Sequence, residues 1–230
     1  MGINYLTVNM FHPGLNDLYT QSFLQMECNP DQRFNVVVVD SPGGYVWNLS
    51  VLLDLIQDSC KPTITIASGI VASCGACLAT AGTPGLRIIG ANTKMLIHEA
   101  SGSVYGKTSD IVAEAKEIQN TTDEIVYGTF DRNSCRPKGY TQSLIKEINN
   151  ADLWLSADEA IEHRFSDIKM SRGKALLSLN DIYDDFLERK TRYFMISCLW
   201  QIFLSYCFYI FTIHLNQYLI YIIIIKNRIC

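Results

Sequence analysis

Apolar positions along this chain follow two different periods. Residues 34–39 form a nearly continuous apolar run, which is typical of a strand buried on both faces of a parallel sheet. The segments 62–67, 86–89 and 94–97 predict further strands, and residues 4–10 predict a short first strand. Helical spacing fills the stretches between these strands, so the chain alternates strand and helix.

Five helices are predicted from this spacing: His12 to Glu27, Tyr45 to Ser59, Ser73 to Ala81, Thr108 to about Phe130, and Asp158 to Arg164. Ser156 precedes Glu159 by three residues, which is a capping-box signal for the last helix. On the first helix, the residues predicted to face the core are Leu15, Leu18, Tyr19, Phe23, Leu24 and Met26. We expect N-cap oxygens for the fourth helix from Thr108, Ser109 and Asp110. Strands alternating with helices indicate an α/β fold whose sheet is largely parallel.

Composition narrows the class of protein. Of 230 residues, 48% are hydrophobic and 18% are charged, which is enough apolar material for a sizeable core. The net charge of -4 gives no electrostatic reason to expect nucleic acid as a partner. Eight cysteines are scattered and the N-terminus has no secretory signal pattern, so we expect reduced thiols in a cytoplasmic compartment. Cys74 and Cys77 lack a second ligand pair, which argues against zinc and favours small buried residues.

The C-terminal part has a different composition. A peptidase-like domain is predicted over residues 1–172, a charged linker over 173–192, and an apolar tail over 193–230. The first part of the tail, residues 193–213, is about long enough to cross a bilayer. Three interpretations stay open: a membrane anchor, a tail that packs on a partner, and a translational artefact of AT-rich sequence.

Four polar motifs lie at the ends of the predicted elements. A glycine pair that ends in Gly44 follows the buried apolar strand, and Ser73 lies among small residues where a strand passes into a helix. His98 ends the strand over residues 94–97, and Asp152 precedes an apolar stretch. Taken singly, the motifs are weak signals. A serine at a helix start is usually a cap, and a lone histidine at a strand end is more often structural, while the glycine pair is explained by a turn and Asp152 by a solvated loop.

Together, in this order and at this spacing, the motifs resemble the ClpP family, the proteolytic subunits of ATP-dependent Clp proteases. Gly44 and Ser73 are 29 residues apart, and Ser73 and His98 are 25 residues apart, as in the family pattern. The resemblance covers roughly residues 3–170. It implies that Ser73 is the nucleophile, His98 the general base and Asp152 the residue that orients the histidine. The backbone N–H groups of Gly44 and Cys74 would bind the oxyanion, without a metal or cofactor.

The resemblance also implies a ClpP/crotonase-like fold with a repeated strand-helix core and a long handle, built from a strand over residues 101–107 and the helix over 108–130. The expected partners are identical subunits in heptameric rings, single or stacked, and a Clp-type ATPase unfoldase. The chain begins near the family's first core strand, without the axial segment that engages the unfoldase, which weakens the expectation of that partnership. Alternative functions are a non-catalytic ring subunit, a membrane-anchored serine peptidase and an acyl-CoA enzyme of the crotonase fold.

Overall fold

The computed structural model describes residues 3–148, 152–170, 179–193 and 195. By its internal contacts the chain divides into two compact units, residues 1–177 and residues 178–230. In the second unit, the described residues are helical over 179–193, while almost all of the apolar tail lies outside the described residues. Within the described ranges, no helix is long and apolar enough to cross a membrane. The predicted domain division and the three interpretations of the tail therefore stay open.

One mixed sheet contains the seven strands of the described residues. Their bounds are Leu6–Val8 (β1), Asn35–Ser41 (β2), Thr63–Ala72 (β3), Arg87–Gly90 (β4), Lys94–Ile97 (β5), Leu153–Leu155 (β6) and Ile168–Met170 (β7). The strand order β1-β2-β3-β4-β7 is parallel throughout. Outside this order, β5 pairs in parallel with β3, and β6 pairs antiparallel with β5.

Strand β3 changes its neighbour halfway along its length. Its first half pairs with β4, up to the pair Ala67 and Ile89, and its second half pairs with β5, up to the pair Ala72 and Leu96. The strand therefore extends beyond Ala67, where the sequence predicted its end, and runs directly into Ser73. We call the five-strand parallel part the body, and the second half of β3 together with β5 and β6 the fork.

In the described part of the first unit, seven α-helices connect the strands. Their bounds are Asn16–Cys28 (α1), Val46–Gln57 (α2), Cys74–Thr80 (α3), Thr108–Thr121 (α4), Gly128–Asn133 (α5), Tyr140–Glu147 (α6) and Ala157–Glu162 (α7). A π-helical segment, Thr122–Tyr127, joins α4 to α5 and makes one long helix, as predicted. The Ser156 and Glu159 side chains form the predicted capping box at the start of α7.

Helix α3 lies within the hydrophobic core. Every residue of this helix is buried, and the helix packs on β2, β3, α2 and α5. Its residues are mostly Cys, Gly and Ala, and such small side chains let a helix approach a sheet closely. Both Cys74 and Cys77 are buried, as predicted. The site residue Ser73 is thus anchored to a helix whose residues are all buried.

Three local predictions were wrong. On α1 the buried stripe is Tyr19, Phe23 and Met26, whereas Leu18 and Leu24 are 58% and 44% exposed because they fall beside this stripe. Residues 101–107 form no strand in the described structure, because no neighbouring segment pairs with them. At the start of α4, the N-cap residue is Lys107 and not one of the three predicted residues, although the Asp110 carboxylate does accept a 3.3 Å hydrogen bond from the Lys107 N–H.

Candidate active site

Ser73 occupies a sharp turn between the end of β3 and the start of α3. Its backbone angles are φ 54° and ψ -122°, a conformation that non-glycine residues rarely adopt. The turn is fixed by a 2.9 Å hydrogen bond from the Ser73 N–H to the Leu96 carbonyl and by a 3.1 Å bond from the Cys77 N–H to the Ser73 carbonyl. Such strain persists only where the surroundings impose it, and it is concentrated at active sites. A strained strand-to-helix turn of this kind holds a serine hydroxyl away from the sheet.

His98 is placed beside Ser73 by the pairing of β3 with β5. These strands are parallel, with Ala72 opposite Leu96, so both end at the same edge of the sheet. His98 follows β5 directly and is half-buried. The segment after it is held by a 3.1 Å hydrogen bond from the Ala100 N–H to the Thr122 hydroxyl, at the start of the π-helical segment.

Asp152 reaches the same place through β6. This strand is antiparallel to β5, with Ile97 opposite Leu153, so Asp152 lies across from His98 when the register is continued. Its side chain is exposed, although Asp152 precedes an apolar stretch. The short strand leaves Asp152 at its open end, and residues 149–151 lie outside the described ranges.

The fork therefore brings together the backbones of all three predicted triad residues. Among the described residues, the side chains of Ser73, His98 and Asp152 form no hydrogen bond with one another. Catalytic hydrogen bonds are often long before substrate binds, so this geometry is compatible with a triad that tightens in the substrate complex.

The glycine pair lies directly against Ser73. Gly43 has φ 112°, and a Cβ placed on it would lie 2.7 Å from Ser73 Cβ and 3.3 Å from Ser73 Oγ. Gly44 has φ 142° and forms a parallel bridge with Phe11. In this bridge the Phe11 N–H donates to the Gly43 carbonyl and the Tyr45 N–H donates to the Phe11 carbonyl, so Phe11 does not engage the Gly44 N–H. The close contact requires glycine, and it fixes the loop beside the nucleophile.

Cys74 joins the glycine loop to α3 through its side chain. Its thiol donates a 3.3 Å hydrogen bond to the Gly44 carbonyl. Burial raises the pKa of the Cys74 thiol to about 11, although hydrogen bonds to neighbouring groups act in the opposite direction. The thiol is therefore protonated at neutral pH and does not compete with Ser73 as a nucleophile. The sequence predicted a role for the Cys74 backbone alone, and nothing in its local pattern pointed to this side-chain contact.

A pocket of about 570 Å³ opens beside Gly44. It is lined by residues 44–47, by residues 100–103 and by one face of α4, with Glu114, Glu117 and Ile118. The sequence analysis did not single out these α4 residues, although their spacing of three and four is that of one helical face. Within the described ranges, no three metal-ligating side chains form a cluster.

Comparison with known proteins places this geometry in a family. The sequence model of the family described as Clp protease matches residues 13–168. The chain belongs to the Clp protease family. The match contains all three predicted triad residues of this Clp protease, together with both residues predicted to form the oxyanion hole.

Relatives in the Clp protease family are bacterial proteins named ATP-dependent Clp protease proteolytic subunit. Subunit 3 of Frankia casuarinae is 34% identical over 177 residues, which are 76% of this chain and 80% of the relative. Subunit 2 of Cutibacterium acnes is 33% identical over 60% of this chain and 65% of its own length. Subunit 1 of Chlamydia trachomatis serovar D is 30% identical over 67% of this chain and 75% of its own length.

These comparisons confirm the predicted family, the α/β fold class and the prediction of a serine peptidase. They give no support to a non-catalytic ring subunit or to a membrane-anchored serine peptidase. The assignment of individual catalytic residues is a separate question, which the geometry of the fork addresses.

Proposed function

We propose that Ser73, His98 and Asp152 are the catalytic triad of a Clp-type serine endopeptidase that hydrolyses unfolded polypeptides. The observation that carries this proposal is the convergence of three sheet positions. Ser73 follows β3, His98 follows the neighbouring β5, and Asp152 precedes β6, which pairs with β5. The strained backbone of Ser73 is a second, independent support.

In the proposed mechanism His98 takes the proton of the Ser73 hydroxyl as the oxygen attacks the peptide carbonyl. The tetrahedral intermediate collapses when His98 returns the proton to the leaving amine, and water then hydrolyses the acyl-enzyme by the same route. Asp152 holds the imidazole in the required tautomer and stabilises the imidazolium. No step of peptide hydrolysis by this route requires a metal or an organic cofactor.

The oxyanion hole is assigned to the backbone N–H groups of Gly44 and Cys74. Cys74 is the first residue of α3, and the N–H groups of the first helical turn have no partner within the helix. Gly44 lies next to it, since the Cys74 thiol bonds to the Gly44 carbonyl. Two N–H donors beside Ser73 match the requirement of a developing negative charge on the attacked carbonyl oxygen.

The same proposal includes assembly into a ring chamber. Three apolar residues at the start of the handle are solvent-exposed in the single chain, namely Tyr105 (103%), Ile111 (42%) and Val112 (64%). Residues 101–107, which include Tyr105, lack a pairing strand among the described residues. Contacts with identical subunits would cover this surface. Heptameric rings, single or stacked, a Clp-type ATPase unfoldase and a cytoplasmic location complete the proposal by analogy with the family.

Hydrolysis of small fluorogenic peptides by Ser73→Ala tests the proposal. The substitution removes one hydroxyl, and we expect kcat to fall by about 10³-fold or more while the fold is retained. Ser143→Ala, on the exposed surface of α6, is the matched control and should keep its activity. Turnover within tenfold of the unmodified protein by a folded Ser73→Ala variant would overturn the triad assignment.

A further inference from the structure

The pocket beside Gly44 lies next to the proposed oxyanion hole. Its walls include Gly44, which the proposed mechanism places at the oxyanion, and Ala100, which follows His98 by two residues. A peptide whose scissile carbonyl binds the Gly44 N–H has its neighbouring side chains within a few ångströms of these walls. At about 570 Å³, the pocket has room for a long side chain.

Aromatic rings and carboxylates dominate the chemistry of this pocket. Tyr45 and Trp47 line it and are 59% and 62% exposed. Among the described residues that line it, only Glu114 and Glu117 are charged. Glu117 accepts one long hydrogen bond, 3.4 Å, from Asn120, and the Glu114 carboxylate has no hydrogen-bond or ion-pair partner in the described part of the chain.

The aromatic rings and the carboxylates of the pocket both attract a cation. The face of an aromatic ring carries negative charge and binds ammonium and guanidinium groups, with tryptophan the strongest partner. A carboxylate pairs with the same groups, and with arginine it does so through two parallel hydrogen bonds. Acidic substrate side chains would meet two like charges, and a purely aliphatic one would form no ion pair with either carboxylate.

We propose that this pocket selects lysine or arginine at one of the two substrate residues that precede the scissile bond. Glu114 and Glu117 are its specificity-determining residues, and Trp47 supplies an aromatic face. The inference rests on the proposed function of Ser73, because it takes the position of the scissile bond from that assignment.

Paired peptide substrates provide the test. Fluorogenic peptides carry arginine or its neutral isostere citrulline at the first or second residue before the cleaved bond, with all other residues fixed. At the selected position, we expect kcat/KM for the arginine peptide to exceed that for the citrulline peptide by about tenfold, from one exposed cation–π contact and one or two ion pairs. A ratio near one at both positions would overturn the inference, as would a preference for citrulline.

Charge-neutral variants test whether Glu114 and Glu117 cause the preference for arginine. In the double variant Glu114→Gln with Glu117→Gln, the ratio of the two kcat/KM values should fall to about two or less. The control is Glu124→Gln with Glu147→Gln, which removes two exposed glutamates outside the pocket and should keep the ratio. An equal fall in both double variants would show a general charge effect and would contradict a role for this pocket.

The failure of this inference is distinguishable from failure of the proposed function. Each preparation is first treated with a fluorophosphonate probe, and the fraction of labelled Ser73 gives the concentration of active sites. A preparation that labels at Ser73 but cleaves the arginine and citrulline peptides equally refutes the pocket alone. A folded, assembled preparation that neither labels nor cleaves any peptide refutes the proposed function, and this inference with it.

Discussion

The body and the fork of the sheet share strand β3 but differ in how their polar groups are held. In the body, Arg87 is 2% exposed and Asp167 binds it through both carboxylate oxygens, at 2.7 Å and 2.6 Å. The same carboxylate also accepts the Gly85 N–H, and Arg87 donates to the Asn133 carbonyl. In the fork, His98 is half-buried and Asp152 exposed, and the side chains of the proposed triad are not hydrogen-bonded to one another in the described structure.

The body and the fork also differ in backbone geometry. Ser73, at the end of the fork, has a positive φ, and the facing glycines Gly43 and Gly44 have φ values of 112° and 142°. The pairs of the parallel body strands join extended residues in continuous register, apart from one irregularity near the end of β2. This difference shows how the two parts of the sheet divide their roles. The regular, paired strands of the body form a rigid support, and this support holds Ser73 and the facing glycines of the fork in unfavourable backbone conformations.

Removal of the Asp167 carboxylate, which pairs with buried Arg87, should have the largest effect on the body. Asp167→Ala leaves the Arg87 guanidinium buried without its charge partner, and we expect a loss of about 3–5 kcal/mol in the free energy of unfolding. Urea denaturation at matched protein concentration measures it. Asp158→Ala is the control, because it removes an exposed ion pair to Lys169 and should cost less than about 1 kcal/mol. Similar losses of unfolding free energy in both variants would contradict the conclusion that the ion pair of the body contributes more stability than an exposed ion pair.

A methyl group at Gly43 should damage the fork without damaging the body. Gly43→Ala would place its Cβ 2.7 Å from Ser73 Cβ, and we expect peptide hydrolysis to fall by about 100-fold, since a displacement of about 1 Å of a catalytic group has effects of this size. Gly139→Ala is the matched control, since its φ is 88° but no atom lies within 4 Å of the added methyl. If Gly139→Ala lost as much activity as Gly43→Ala, backbone strain and not contact with Ser73 would be responsible.

The reactivity of the cysteine thiols should differ between the buried end of the fork and the surface. Burial raises the pKa of the Cys74 thiol to about 11, so less than about one part in 100 is thiolate at pH 8. We expect iodoacetamide to alkylate Cys74 at least about 100-fold more slowly than the exposed Cys28, Cys60 and Cys135 in the native protein. Peptide mass spectrometry over time measures the four rates, and unfolding in urea should make them similar. Rapid alkylation of native Cys74 would show that this end of the fork opens.

Most of the described strands were predictable from sequence, because their signals are local and strong. The apolar run of β2 and the bounds of β5 were predicted closely, and the Ser156 capping box needs only a spacing of three residues. Strands β6 and β7 have three residues each, too few for a periodic pattern, and they exist because neighbouring strands pair with them. Helix α6 was not predicted either, although it spans Tyr140–Glu147.

The candidate site was predictable only through the order of its motifs. No local property of Ser73, His98 or Asp152 distinguishes them from a cap, a structural histidine and a loop aspartate. The sequence predicts the end of β3 at Ala67, whereas the strand continues by exchanging β4 for β5. The contact of Gly43 with Ser73 and the Cys74 hydrogen bond depend on residues about 30 positions apart, so neighbouring sequence carries no signal for them.

Covalent labelling with a fluorophosphonate tests the central claim most directly, because the probe reacts with a serine only where a base activates the hydroxyl. The assembled protein is treated with the probe and the modified peptide is identified by mass spectrometry, with His98→Ala treated in parallel. The account predicts modification of Ser73 and loss of at least about 99% of that labelling rate in His98→Ala. Modification of a different serine, or undiminished labelling of Ser73 in His98→Ala, would contradict it.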